Sequence, residues 1–290
     1  MLETRGWDDY RLLDSGNGRK LERYGQYRIM RPEPQAMWSP QKDEAFWDAA
    51  DAVFTGGKDE ESDGSWRYRR PLAETWKMSY RDVSFLGRFT AFRHVGVFPE
   101  QETHWAWMLG LIEGARRPLN ILNLFAYTGI ASLLAAKAGA SVVHIDASKK
   151  SIAWARENQA LSGLDDLPIR WITEDAMKFV AREERRGARY DAIILDPPKF
   201  GRGPKNEVWD LFTDLPEMMR RCRRLLSDRP LFLILTAYSI RASFMATHEL
   251  AAEVFADLGG NLESGELLLR EEDGGRLLST SLFSRWSANG

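Results

Sequence analysis

Cysteine occurs once in these 290 residues, at Cys222, so an intrachain disulfide is excluded and a reducing compartment is the natural setting. Histidine occurs four times, with no zinc-type spacing of Cys and His, so no metal site is expected. Long apolar runs are missing. The strongest, Leu231–Leu235, is too short to span a bilayer. The opening Met1-Leu-Glu-Thr-Arg-Gly-Trp-Asp-Asp lacks the basic start and apolar centre of a signal peptide. A cytoplasmic protein without membrane contact is the expectation. G-x-G-x-x-G is absent as well, which argues against a dinucleotide, whose pyrophosphate favours several glycines at a helix N-terminus. No sign of charge dominates, for the formal net charge is -2. Nucleic-acid contact would then need a local basic face. Three clusters qualify: Arg182, Arg185, Arg186 and Arg189; Lys199, Arg202 and Lys205; and Arg220, Arg221, Arg223 and Arg224. Each also reads as an ordinary solvated face.

What is present falls into two textures. Residues 1 to about 114 are rich in Trp, Arg and turn residues. Asp14-Ser-Gly-Asn-Gly18 is a turn signal. Gln26–Met30 alternates like a strand and is stopped by Arg31-Pro-Glu-Pro34. Thr55–Gly64 is a polar loop, and Trp76, Met78 and Tyr80 alternate as in a half-buried strand. Val83–Leu86 and Phe89–Phe92 read as further strands around Gly87. A small antiparallel β-rich module over 1–114 is expected.

From 115 to 290, short apolar strands alternate with helices: Leu119–Leu124, Ser141–Asp146, Ile169–Ile172, Asp191–Leu195 and Leu231–Leu235. Helices are expected over Ile130–Ala138 and from the N-cap Ser148 through Leu161. Such alternation implies an α/β fold, a doubly wound and mostly parallel Rossmann-like sheet. Gly265–Arg270 and Leu278–Trp286 flank Glu271-Glu-Asp-Gly-Gly275 and read as an antiparallel C-terminal hairpin.

In such a sheet ligands bind beyond the carboxyl ends of the strands. Four of these ends carry telling residues. Phe125-Ala-Tyr127-Thr-Gly129 follows the first strand, with Gly129 allowing close backbone approach and two rings as apolar walls. Asp146 ends the second and can accept both hydroxyls of a ribose, though it also fits a capping acid before Ser148. Asp175-Ala176 follows the third, where a carboxylate and a backbone N–H can meet an adenine edge. Asp196 ends the fourth. The ordered set points to a nucleoside ligand without a phosphate, S-adenosylmethionine (SAM), and hence to a methyltransferase. Asp196-Pro197-Pro198-Lys199-Phe200 is the most specific motif. Its prolines stiffen the exit from a buried strand and remove two donors, leaving carbonyls and the Asp196 carboxylate as acceptors. Phe200 can stack on a flat substrate.

These segments resemble the class I SAM-dependent methyltransferases related to the bacterial large-subunit ribosomal RNA enzymes that modify 23S cytosine C5 and guanine N7. The resemblance covers roughly residues 85 to 285. It implies a seven-stranded sheet with SAM lined by Phe125, Tyr127 and Gly129. It also implies that Asp146 holds the ribose, Asp175 and Ala176 the adenine, and that Asp196 sits between methyl donor and substrate. Asp196 and Lys199 are the catalytic candidates; Pro197, Pro198 and Phe200 the substrate contacts. The implied partner is ribosomal RNA. Two departures stand out. The cytosine-C5 relatives carry a cysteine after the fifth strand, where this chain has Leu235-Thr-Ala-Tyr-Ser-Ile240, with Tyr238 near that place. Cytosine C5 needs a thiolate at C6, whereas guanine N7 already has a lone pair. Their N-terminal RNA-binding domain of the pseudouridine-synthase-associated type has no recognisable counterpart here. Phe98–Trp105 is read as one wall of the pocket or as a linker. Methylation of a small molecule or a protein side chain, and a non-catalytic RNA-binding module, are the competing readings; a Rossmann dehydrogenase is disfavoured by the missing glycines.

Overall fold

The computed structural model describes residues 1–56, 64–238, 240, 242–273 and 275–289. The chain forms two compact units. One holds Leu2–Thr103 and Leu267–Thr280; the other holds Met1, His104–Glu266 and Ser281–Gly290.

In the first unit, β1 (Leu2–Thr4) lies parallel to Leu267–Leu269. A five-stranded sheet follows: β2 (Tyr10–Gly16), β3 (Arg19–Tyr24), β4 (Tyr27–Pro32), β5 (Ala52–Gly56) and β6 (Gly64–Tyr68). Asn17 and Gly18 have φ of 50° and 72°, the left-handed pair that closes a tight hairpin between β2 and β3. The sheet is mixed rather than antiparallel throughout. The helix α1 (Glu44–Asp48) lies between β4 and β5 in the chain, and these two strands pair in parallel. Most of the loop expected over Thr55–Gly64 falls in 57–63, outside the described residues. The pair β7 (Thr75–Tyr80) and β8 (Val83–Arg88) is antiparallel, and Trp76, Met78 and Tyr80 all point inward as their alternation predicts. Phe89–Phe92 is not the expected strand. The Thr90 hydroxyl bonds the carbonyls of Phe92 and His94 and accepts from the Phe92 N–H, so the chain turns locally. Gly87 lies inside β8 rather than between strands. The Trp76 ring packs where a Gly87 side chain would stand. The buried Glu22 carboxylate accepts from Tyr10, Tyr24 and Arg31. Burial alone would raise it, but the Arg31 and Lys20 charges outweigh burial and hold it below the ordinary range.

The second unit opens with α2 (Glu102–Ala115), whose first two residues belong to the first unit. Its elements then alternate: β9 (Asn120–Leu124), α3 (Ile130–Lys137), β10 (Ser141–Asp146), α4 (Lys149–Leu161), β11 (Ile169–Thr173), α5 (Ala176–Arg185) and β12 (Ala192–Leu195). A short ribbon, β13 (Phe200–Arg202) and β14 (Val208–Asp210), precedes α6 (Leu211–Leu225), β15 (Phe232–Tyr238), α7 (Phe244–Val254), β16 (Asn261–Arg270) and β17 (Leu277–Ser287). The sheet order is β16-β17-β15-β12-β9-β10-β11. β9 to β12 and β15 pair in parallel, and β17 runs antiparallel to β15. Every residue of β12 and β15 is buried, because helices cover both faces of the parallel strands. Ser148 caps α4 through Ser151, as the sequence predicts. α6 turns Leu211, Leu215, Met218, Met219, Cys222 and Leu225 into the core and its arginines outward.

Candidate active site

Strand order reverses around β9, which lies between β10 and β12. The chain leaves β9 toward β10 and β11 on one side and returns to β12 and β15 on the other. A crevice beyond the carboxyl ends follows from that reversal. The register sets those ends level: Leu124 faces Ile145 and Leu195, and Asp146 faces Thr173. A separate cavity of about 460 Å³ lies at the opposite, amino ends, lined by Asn120, Ser141, Ile169, Arg170 and Tyr190, away from every motif residue.

The loop after β9 is strained. Phe125 and Tyr127 have φ of 55° and 48°, and Gly129 has 82°. Non-glycine residues persist there only when their surroundings fix them. Three bonds do so. The Tyr127 N–H donates to Asp146 Oδ2 (2.9 Å), the Ala126 N–H to the Ile145 carbonyl (3.0 Å), and Asn158 Nδ2 to the Thr128 carbonyl (2.9 Å). Gly129 is fixed by space as well as by φ. A Cβ there would stand 2.9 Å from the Ala155 Cβ and 3.1 Å from the Trp171 ring. Gly129→Ala is therefore expected to lower stability by about 1–3 kcal/mol through overpacking, and cofactor affinity with it. Thermal melting and calorimetry check this; a variant matching wild type in both would mean that the loop is not constrained.

Beneath the loop, Asn123 donates to Ser132 Oγ (2.9 Å), which contacts His144 Nδ1 (3.0 Å). Burial pushes His144 down to about 3, with the Tyr127 backbone opposing, so the ring stays neutral. Asp146 has both carboxylate oxygens engaged, the second by the Ser148 N–H at 2.8 Å. Each oxygen has two lone pairs, so acceptor capacity remains for a ligand. Asp175 caps α5 by accepting from the Lys178 N–H at 2.9 Å. As the first residue of that helix, Ala176 presents an N–H with no intrahelical acceptor.

Asp196 follows β12, and its N–H donates to the Leu124 carbonyl at 3.3 Å, which ties the motif turn to the end of β9. Pro197 is buried, and the Pro198 carbonyl, expected to face a substrate, accepts from the Trp209 indole at 2.7 Å. Trp209 also packs against Phe125, with ring centroids 4.9 Å apart. One indole thus locks the loop after β9 to the turn after β12. Lys199 and Phe200 are exposed. Trp209 and Asn158 gave no signal in the sequence. Asn123 and His144 did, as polar residues inside apolar strands. Phe98–Trp105 proves to lead into α2, and His104 is fully buried there, pushed down to about 3 first by burial and then by Arg285. Among the described residues no cluster of His, Cys, Asp and Glu could hold a metal, and no helix is long and apolar enough to cross a membrane.

A family model for S-adenosylmethionine-dependent methyltransferases matches residues 47–254. The chain belongs to that family. Its fold agrees with a crystal structure of a SAM-dependent methyltransferase from Agrobacterium tumefaciens, 58% identical, with a TM-score of 0.96 over 99% of this chain and 93% of that one. A methyltransferase structure solved in complex with SAH shares the fold at 17% identity, with a TM-score of 0.75 over 96% of this chain and 75% of that one. Among curated proteins, ribosomal RNA large subunit methyltransferase K/L of Syntrophotalea carbinolica is 30% identical over 195 residues, 66% of this chain and 26% of its own. The K/L enzyme of Shewanella frigidimarina is 42% identical over 110 residues, 37% of this chain and 15% of its own. The chain thus spans only about a quarter or less of these curated relatives. This methyltransferase uses SAM, which supplies an activated methyl group. The strand ends carry groups of a kind that suits that cofactor: the Asp146 carboxylate with acceptor capacity left, the Phe125 and Tyr127 rings, and the first-turn N–H of Ala176.

Proposed function

We propose that this methyltransferase acts on a nucleobase, in ribosomal RNA, without a cysteine nucleophile. In this reading Phe125, Tyr127 and Gly129 line the cofactor, Asp146 holds the ribose, and Asp175 with Ala176 meets the adenine. Asp196 orients the acceptor. Pro197, Pro198 and Phe200 contact the substrate, and Lys199 neutralises a phosphate or an acceptor oxygen. The observation that carries this reading is the Asp196 turn, rigid and bonded to β9, with an exposed aromatic and a cation at its outer end. A planar ring in line with the methyl group is what such a turn suits. The ribosomal RNA enzymes among the relatives support the substrate class.

Cys222 supports a mechanism without a thiolate. It is fully buried in α6 among Met218, Met219 and Leu225, and burial pushes its thiol up to about 12. A thiol so raised is protonated at neutral pH and faces no cleft. Guanine N7 needs only alignment and exclusion of water. Cys222→Ser is accordingly expected to keep methyl transfer at wild-type rate. Loss of transfer in a folded variant, together with a trapped covalent RNA adduct in the wild type, would restore a cytosine-C5 mechanism. The substrate itself is tested by mass spectrometry of ribosomal RNA nucleosides from deletion and wild-type cells. One methylated base missing in the deletion, and restored in vitro by the purified enzyme, is the expected result; identical nucleoside profiles would remove ribosomal RNA as the substrate.

A further inference from the structure

The ribbon of β13 and β14 has two unlike faces. In its register Phe200 stands opposite Asp210, Gly201 opposite Trp209, and Arg202 opposite Val208. Directly opposed residues share a face, and faces alternate along each strand. Gly201 and Trp209 therefore form the inner face. Trp209 is buried against Phe125, and a Cβ on Gly201 would stand 3.3 Å from the Pro198 ring, a tight contact. Phe200, Arg202, Val208 and Asp210 form the outer face, where the Asp210 carboxylate accepts from the Thr213 N–H. Phe200 is 42% exposed and Val208 58%. Beside them Phe212, in the first turn of α6, is 56% exposed, although its neighbour Leu211 is fully buried. Three large apolar side chains on one short stretch are not needed by the core, which the inner face already serves.

The charges single out the same place. The arginines of α5 and α6 are mostly consumed within the protein. Arg182 pairs with Glu174, Arg186 with Glu183, Arg220 with Glu253, Arg221 and Arg224 with Glu184 and Glu217, and Arg223 with Asp257. Lys199, Arg202 and Lys205 have no ion pair among the described residues. The acid nearest them in sequence, Glu207, is taken by Lys178, and Asp210 caps α6 at the Thr213 N–H. Of the three basic clusters, the ribbon's is the one in which no member has an ion pair among the described residues; in the first cluster Arg182 and Arg186 are paired, and in the third all four arginines are.

We propose that the outer face of the β13–β14 ribbon holds the single-stranded RNA flanking the methylated base, with Val208 and the neighbouring rings under a base and Arg202 and Lys205 on phosphates. This rests on the nucleobase reading above and adds the path of the strand. The ribbon begins at the last residue of the Asp196–Phe200 turn, so a strand whose base reaches that turn meets the ribbon next. Exposed rings interleaved with cations are the surface that unpaired bases and their phosphates require. A duplex offers no free base faces to such a ribbon.

The test is the double variant Arg202→Glu/Lys205→Glu, with Val208→Ser as a separate variant and Arg220→Glu as the control. A labelled single-stranded oligouridine, the same length of RNA duplex and poly-glutamate are titrated against each protein across a range of salt. Cofactor calorimetry confirms that each variant is folded. The charge-reversed protein is expected to bind oligouridine at least about tenfold more weakly and to lose about 0.7 from the salt slope for each phosphate contact. Val208→Ser should weaken binding with the slope unchanged, and Arg220→Glu should change neither. Equal oligouridine affinity and slope in the double variant and the wild type would overturn the proposal, as would a duplex or poly-glutamate that binds the wild type more tightly than oligouridine. If ribosomal RNA is still methylated in those cases, only the ribbon assignment fails. If the wild type neither binds nor methylates any RNA, the nucleobase reading fails with it.

Discussion

Asp196→Ala is expected to slow methyl transfer about 10²-fold, the usual loss when a reacting group is misplaced, while SAM affinity changes by no more than about threefold. The asymmetry follows from where the residue is held. Its backbone is bonded to Leu124, Pro197 is buried behind it, and the Trp209 indole fixes the Pro198 carbonyl. Removing the carboxylate leaves that frame standing. The turn is expected to keep its shape, so that on the proposed role of Asp196 only the acceptor's orientation toward the methyl group is lost. Contacts that matter chiefly in the transition state appear in turnover rather than in ground-state binding. Single-turnover methylation beside a SAM titration measures both. Wild-type turnover on the true substrate would make the turn structural and would move the reaction centre elsewhere.

Asp146→Ala is expected to weaken SAM binding by about 1.5–3 kcal/mol, the range for losing a charged hydrogen-bond partner. The structure adds a second reason. The same carboxylate holds the Tyr127 N–H, and Tyr127 sits at positive φ. If Asp146 holds the ribose as proposed, the alanine variant loses that acceptor and the tether together. Asp146→Asn keeps one acceptor oxygen and should fall between. An unchanged dissociation constant would reduce Asp146 to a turn-capping acid. Burial holds this carboxyl above its ordinary 3.8, against the backbone N–H groups of Ser148 and Tyr127 and the Ser151 side chain. The ionised form is the better acceptor for ribose hydroxyls. Affinity should therefore be full above the raised value and fall as pH drops through it, earlier than for an ordinary aspartate. Asp146→Asn should flatten that dependence in calorimetry across acidic pH.

The second unit was legible because its signals are local. Buried parallel strands are unbroken apolar runs, and Ser141–Asp146 and the Ser148-capped helix emerge with the bounds read from the residues. The strand-end acids were legible for the same reason, since a carboxylate closing an apolar strand has no business in the core. The β13–β14 ribbon was not, because three-residue strands carry no period. Phe89–Phe92 looked like a strand by composition, and the Thr90 hydroxyl decided otherwise by bonding its own neighbours.

The sequence by itself determined the α/β class, the order of the motifs and the family, all of which rest on spacing along the chain. Only the tertiary structure decided which of those residues are already occupied. Asp175 spends a lone pair capping α5, Asp146 steadies a strained loop, and Pro198 is bound by an indole 11 residues further on. It also decided which basic side chains are engaged, by pairing most arginines of α5 and α6 with acids up to 40 residues away, while Lys199, Arg202 and Lys205 have no ion pair among the described residues. The physical reason is the same in each case. A side chain's type sets what it can bond, but the partner that claims it arrives from a distant part of the chain, and only folding brings the two together.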